Sequence, residues 1–318
     1  MTVTILMATF NGAKYVAAQL DSIIAQTHQD WALIIRDDLS TDQTPFIIQR
    51  YAEADSRIKV LSDKGKHGSA TLNFSVLFDY AYKHPAPYVM FADQDDIWHE
   101  NKIEHSLKFI REQEQTASAL QPILVYGALE YVDAEANVIP QELKMPEALD
   151  INMLLTENHA YGCTMMLNRA LVERIICIPE TAENHDYWVA LVACALGKAV
   201  LNPEKLISYR QHAENASGNV HRNRLSSRFN RYVKRVDFLL PVFVKNYIMI
   251  ESFYRQYRGS LEAKVSQLIS GYIRAYKSNL LSLMIFMARN RFRKLGRMQT
   301  LAHYYTVLQL RRKVLERV

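Results

Sequence analysis

The chain has three cysteines in 318 residues, Cys163, Cys177 and Cys194, an odd number with no metal-ligand spacing, each in an apolar stretch. A disulfide framework and a zinc cluster are excluded by that pattern, and buried thiols of a reducing compartment are expected instead. Glycine is also scarce, with ten residues. No G-x-G-x-x-G follows the first apolar run, which argues against a nicotinamide dehydrogenase. The segment Asn11-Gly12-Ala13-Lys14 is too poor in glycine to cradle a triphosphate, which argues against a sugar-nucleotide nucleotidyltransferase. The run Leu280–Ala288 is apolar apart from Ser282, well short of the roughly 20 residues that span a bilayer. Met1–Ile5 enters a strand-like run with no charged leader, so no signal peptide is expected. There is no zinc-finger or RNP signature.

What is present suffices for a full core, since 49% of the residues are hydrophobic. The net charge of +5 hides an asymmetry: residues 1–218 hold 17 Lys+Arg against 29 Asp+Glu, or −12, and residues 219–318 hold 21 against 4, or +17. A basic segment of that size attracts a polyanion, either nucleic acid or an anionic membrane face. The acidic first part would repel nucleic-acid phosphate, so a nucleic-acid partner is not expected.

Strand-like runs fall at 3–10, 31–36, 58–62, 88–92 and 123–126, with amphipathic segments near 14–25, 43–54, 70–82 and 100–113 between them. This alternation predicts an α/β fold with a mostly parallel sheet and helices on both faces. Further on, 160–167 reads as a strand, 187–196 as a helix, and 199–211 as a strand interrupted near Pro203. A boundary is expected near 215–219, giving domains at 1–218 and 219–318. In the second, Leu261, Val265, Leu268, Ile269, Tyr272, Ile273, Tyr276, Leu280, Met284 and Met287 recur at helical spacing. Two readings stay open for these helices: an amphipathic layer in a membrane interface, or a helical unit packed on the rest of the chain.

Ligands of parallel sheets collect at the carboxyl ends of strands. Three such ends carry polar motifs: Thr9-Phe10-Asn11-Gly12, Asp37-Asp38-Leu39-Ser40-Thr41-Asp42 and Asp93-Gln94-Asp95-Asp96. Gly12 permits a tight bend, and Thr9 and Asn11 offer hydrogen-bonding groups. A carboxylate such as Asp38 can accept the imide N–H of uracil or thymine, while Ser40 or Thr41 can cap the next helix. Clustered carboxylates at 93–96 suit Mg²⁺ or Mn²⁺ with phosphate oxygens, though an acidic loop capping a helix near Glu100 would look the same. Asp186 precedes an apolar helical run and can be its N-cap. His212, after Tyr209-Arg210, can contact phosphate or metal. Lys64 to Gly68 could touch a diphosphate, and Asn73 is a weaker candidate.

Taken together, Thr9-Phe10-Asn11-Gly12, the motif at 37–42 and Asp93-Gln94-Asp95-Asp96-Ile97-Trp98 resemble the family 2 glycosyltransferases of GT-A fold, over residues 1–218. With His185-Asp186-Tyr187-Trp188 and Tyr209-Arg210-Gln211-His212 they are most similar to bacterial rhamnosyltransferase-like members. The resemblance implies that Thr9, Asn11 and Asp38 hold the nucleoside, Asp38 at the base. Asp93 lies near ribose and metal, Asp95 is the principal metal carboxylate of a DxD motif, Asp186 is the general base, and Arg210 and His212 close over the diphosphate, with His212 also a metal ligand. Leu39 departs from the small or polar residue usual there. The expected reaction is an inverting, metal-dependent sugar transfer from a dTDP- or UDP-sugar, rhamnose favoured. The expected acceptor is a glycan, lipid-linked as in O-antigen or capsule synthesis, met at the inner face of a bacterial membrane.

Overall fold

The computed structural model describes residues 2–62, 65, 68–118, 120–142, 144–146, 148–212 and 236–318. Lys64, Lys66 and His67 and the boundary expected near 218 lie outside the described residues. The first part runs β1 (Val3–Thr9), α1 (Val16–Ile24), β2 (Trp31–Asp37), α2 (Thr44–Ala54), β3 (Ile58–Val60), α3 (Ala70–Lys83), β4 (Tyr88–Ala92), β5 (Ile97–Trp98), α4 (Lys102–Gln115), β6 (Ile123–Val132), α5 (Ile151–Leu154), β7 (Met166–Asn168), α6 (Arg169–Arg174), α7 (His185–Leu196) and β8 (Lys198–Arg210).

These eight strands form one sheet in the order β3-β2-β1-β4-β7-β6-β8-β5. β1, β2, β3 and β4 are mutually parallel, and β6 is parallel to β8; β7 runs against both of its neighbours, and β5 runs against β8. The α/β expectation therefore holds, with two reversed strands. Side chains alternate across a strand, so β1 sends Val3, Ile5 and Met7 to one core and Leu6 to the other. The first core is closed by α1 and α4, the second by α3 and α7.

The segment expected to be a strand over 160–167 is a 3-10 turn at Gly162–Thr164 followed by the three-residue β7. An apolar run fits a buried turn as well as a buried strand, and here Thr164 folds its hydroxyl back onto the Tyr161 carbonyl at 2.7 Å. In β8 the register with β6 jumps from Asn202 to Lys205, which skips Pro203 as a residue without an N–H must be skipped.

The C-terminal helices are α8 (Leu240–Tyr257), α9 (Ala263–Lys277), α10 (Leu280–Arg289) and α11 (Arg297–Leu315). The single stripe read through Met287 is two helices, broken where Asn279 caps α10 by accepting from the Ser282 N–H at 2.9 Å. Of the striped residues Ile269, Tyr272, Tyr276 and Met287 are buried, in the same core as α3 and α7. Trp188 of α7 packs edge-on against Phe253 of α8, with ring centroids 5.7 Å apart. The described helices thus pack on the sheet domain, and none of them is long and apolar enough to cross a membrane.

Candidate active site

Parallel pairing brings the three polar strand ends together: Thr9 is in register with Asp37, and Met7 with Ala92, one residue before Asp93. Gln94 ties two of the ends, accepting from the Phe10 N–H at 2.8 Å and donating to the Phe10 carbonyl at 3.0 Å. Gly12 is needed beside it, because a Cβ there would lie 2.3 Å from Gln94 Oε1. Above these ends opens a cavity of about 680 Å³, lined among others by Thr9, Asp38, Asp93, Asp95, Tyr161 and Asp186.

The side of the cavity that carries Asp38 is built on a buried cation. Arg36 is fully buried and donates to Asp38 Oδ1 at 3.2 Å, to Asn73 Oδ1 at 2.9 Å and to the Gly65 carbonyl. Asp38 Oδ2 accepts from the Gly68 N–H at 2.8 Å, and Asn73 Nδ2 reaches the Thr9 and Arg36 carbonyls. Asp37 accepts from Thr9 Oγ1 at 2.9 Å and from both the N–H and hydroxyl of Ser40. Ser40 and Thr41 do not cap α2 as expected. Helix α2 begins only at Thr44, whose N–H is bound by Asp42, while Ser40 and Thr41 bond the backbone N–H and side chain of Asn11. Asn11 holds this loop at φ 48°, and its side chain is not among the cavity's lining. Leu39, the atypical residue, also sits at positive φ, 60°, half-exposed.

The acidic tetrad is not a surface cap. Helix α4 starts at Lys102, beyond it, and Asp96 is fully buried, with Oδ1 accepting from the Arg210 N–H at 3.0 Å. Asp93 and Asp95 face the cavity. Burial raises the Asp93 carboxyl to about 7, helped by the charges of Asp95 and Asp186. Asp95 Oδ2 lies 2.7 Å from His212 Nε2, and the His212 ring lies against that of Tyr15, tilted by 30° with centroids 4.6 Å apart. Arg210 does not line the cavity: its guanidinium bonds the Asp95 and Ala134 carbonyls, each at 2.8 Å, and lies over the Tyr15 ring.

Asp93 and Asp95 in the cavity wall, and His212 in contact with Asp95 but outside the lining, offer ligand types that a hard or borderline divalent cation accepts, and such a cation would relieve the repulsion that helps lift Asp93. Among the described residues, Asp93, Asp96 and Cys163 are the group of potential ligands whose atoms all lie within 4.8 Å of one another. It suits Mg²⁺ or Mn²⁺ poorly. Burial keeps the Cys163 thiol protonated, and the buried Lys102 ammonium, 2.5 Å from the Cys163 carbonyl, already supplies positive charge. Burial also depresses Lys102 to about 8.

Asp186 is the second residue of α7 and not its N-cap, which is Asn184. Its Oδ2 accepts from the Gly162 N–H at 3.1 Å, and Oδ1 has no partner among the described residues. Burial raises this carboxyl to about 6, against the hydrogen bonds from Gly162 and Tyr187. Its neighbour His185 stacks on Phe74 at 3.8 Å, and burial holds the ring neutral by lowering it to about 3. Gly162 admits that ring: a Cβ would fall 2.6 Å from His185 Nε2. Lys102, Tyr161, Gly162 and His185 are site residues that sequence reasoning did not single out. Only the chemically odd pair His185-Asp186 at the head of an apolar run hinted at one of them.

The family model for Glycosyl transferase family 2 matches residues 4–176. The chain is 28% identical over 191 residues to UDP-Glc:alpha-D-GlcNAc-diphosphoundecaprenol beta-1,3-glucosyltransferase WfgD of Escherichia coli, covering 60% of this chain and 69% of that protein. It is 39% identical over 102 residues to dTDP-rhamnosyl transferase RfbG of Shigella flexneri, covering 32% and 35%. Among solved structures it is similar to S. aureus TarS 1-349 in complex with UDP-GlcNAc, at 16% identity and a TM-score of 0.61 over 99% of this chain and 91% of that one.

Proposed function

Because the chain belongs to glycosyl transferase family 2 and is a glycosyltransferase of GT-A fold, we propose that it moves a sugar, with inversion, from a UDP- or dTDP-linked donor to a glycan acceptor. One observation carries this reading: Thr9, Asp38, Asp93, Asp95 and Asp186, from separate points of the chain, line a single cavity.

Asp38, already oriented by Arg36 and Gly68, accepts the imide N–H of the base. Thr9 forms the floor beneath the nucleoside, and Asn11 keeps the 37–42 loop in place beside it. Asp95, Asp93 and His212 would hold Mg²⁺ or Mn²⁺, whose charge when bound favours departure of the diphosphate. Arg210 fixes the strand end that carries His212 against the Asp95 backbone. Asp186 takes the proton of the acceptor hydroxyl as its oxygen bonds the anomeric carbon and the bond to the diphosphate breaks on the opposite face. A carboxyl lifted to about 6 is ionised at neutral pH yet basic enough for that role.

Rhamnose is the favoured sugar on the strength of the segment shared with RfbG, and a lipid-linked acceptor on the strength of WfgD. Leu281 of α10 and Met298 and Leu301 of α11 are largely exposed on the basic C-terminal part, which fits docking on an anionic bilayer face. Residues 219–318 would then form a unit that both packs on the catalytic part and meets lipid. Release of nucleoside diphosphate from a panel of UDP-, dTDP- and GDP-sugars tests the reading. Turnover of UDP- or dTDP-sugar that needs Asp186 supports it; pyrophosphate release from a nucleoside triphosphate would replace it.

A further inference from the structure

A second cavity of about 500 Å³ lies on the other side of Asp186. One wall is the 155–161 segment with the start of α7; the other is made by the C-terminal part, with Asn246 of α8, Tyr272 and Tyr276 of α9 and His303 of α11. Tyr161, Asn184 and Asp186 line both cavities, so a group seated in the second reaches the carboxyl that also borders the first. The volume falls in the range of small-molecule sites, about 300–1,000 Å³.

The lining is that of a sugar site. Tyr187, Tyr272 and Tyr276 offer aromatic faces, and Glu157, Glu183 and Asn246 offer hydrogen-bonding groups. Tyr276 is 1% exposed, and its hydroxyl has no partner among the described residues; Asp186 Oδ1 is in the same state. Buried polar atoms of this kind are rarely left unpaired, and a hydroxylated occupant would satisfy both. The charges decide what kind of sugar. Three carboxyl groups, Glu157, Glu183 and Asp186, line the space; burial raises Glu183 to about 7, and the one lysine of the lining, Lys294, is bound to Glu157 at 3.2 Å. Burial keeps His303 neutral by lowering it to about 3, and it also lowers His159, which lies between the lining residues Asn158 and Ala160 in the chain. With Glu157 and Lys294 offsetting each other, Asp186 and the partly ionised Glu183 leave the cavity negative, which disfavours an anion.

We infer that this cavity receives the terminal sugar of the acceptor as an uncharged glycosyl unit, its hydroxyl presented to Asp186, with the C-terminal helices supplying Asn246, Tyr272 and Tyr276 as its wall. The inference rests on the glycosyl-transfer reading above. Any diphosphate of an acceptor stays outside.

The test is saturation-transfer NMR on the full chain with UDP or dTDP and Mg²⁺, titrating methyl rhamnoside, methyl glucoside, methyl N-acetylglucosaminide and methyl glucuronide. At least one neutral glycoside is expected to bind, and the glucuronide more weakly. Val242→Trp at the half-exposed rim and Tyr276→Phe, which removes one atom and keeps the packing, should each weaken that binding by at least about fivefold while nucleotide affinity stays within about twofold. Nucleotide binding with no neutral glycoside bound, glucuronide bound as tightly as the neutral sugars, or binding indifferent to both variants each overturns the inference. Failure of every nucleotide to bind removes the transfer reading itself.

Discussion

Asp186→Asn should make the protein more stable and nearly inactive at once. The carboxyl titrates near 3.8 in an unfolded chain and at about 6 in the fold, where burial disfavours its charge. A raised acid weakens the fold as it ionises: its contribution is most favourable below 3.8, is lost between 3.8 and 6, and stays lost above. A shift of about two units corresponds to roughly 3 kcal/mol, and because Asp186 borders a cavity that admits water, about 1–3 kcal/mol is the working figure. An amide of the same shape keeps an oxygen for the Gly162 N–H and cannot ionise. Thermal unfolding without added cation should therefore rise by a few degrees for the variant at about pH 8, and by about half as much at pH 5. Transfer should fall about 10²–10⁴-fold, and the wild-type rate should climb with pH through about 6. A variant no more stable than wild type at pH 8, or a wild-type rate that is flat from pH 5 to 8, would refute the burial argument.

Three further outcomes follow from the same geometry. Asp95→Ala should abolish the difference in nucleotide affinity between Mg²⁺ and a chelator, measured by calorimetry; an undiminished difference would remove Asp95 from the metal site. Arg36→Met takes the cation away from the buried Asp38 carboxylate and should cost about 3–5 kcal/mol in denaturant unfolding, more than Asp38→Asn, which removes the charge. Leu281→Ser with Leu301→Ser should weaken binding to anionic vesicles at least about tenfold, at roughly 1.5 kcal/mol or more per buried leucine, and leave transfer to a soluble acceptor unchanged.

Much of the sheet was readable because each strand is bounded by polar turns and alternates or stays apolar over its length. β4 matches its expected limits, and α1, α2, α3 and α4 fall within about two residues of theirs. The reversed direction of β7 was not readable, since direction depends on which neighbour a strand pairs with and leaves no local mark. The acidic strand ends were legible as chemistry, but their division of labour was not. Asp37 and Asp38 look equivalent in sequence, yet one binds Thr9 and Ser40 and the other a buried arginine. Lys102 was hidden for the opposite reason: a lysine in an amphipathic helix reads as solvated, and only the fold shows it turned inward beside Cys163.

Trp188 stands two residues after Asp186 and is sealed by Phe253 and Tyr257, which come from the far side of the long segment between β8 and α8. The helix bearing the carboxyl is thus clamped between the sheet and a layer contributed by the last third of the polypeptide. Calorimetry on the intact protein should accordingly record a single endotherm, and a fragment ending near residue 212 would leave one indole and much of an aromatic seam bare to water, an invitation to self-association.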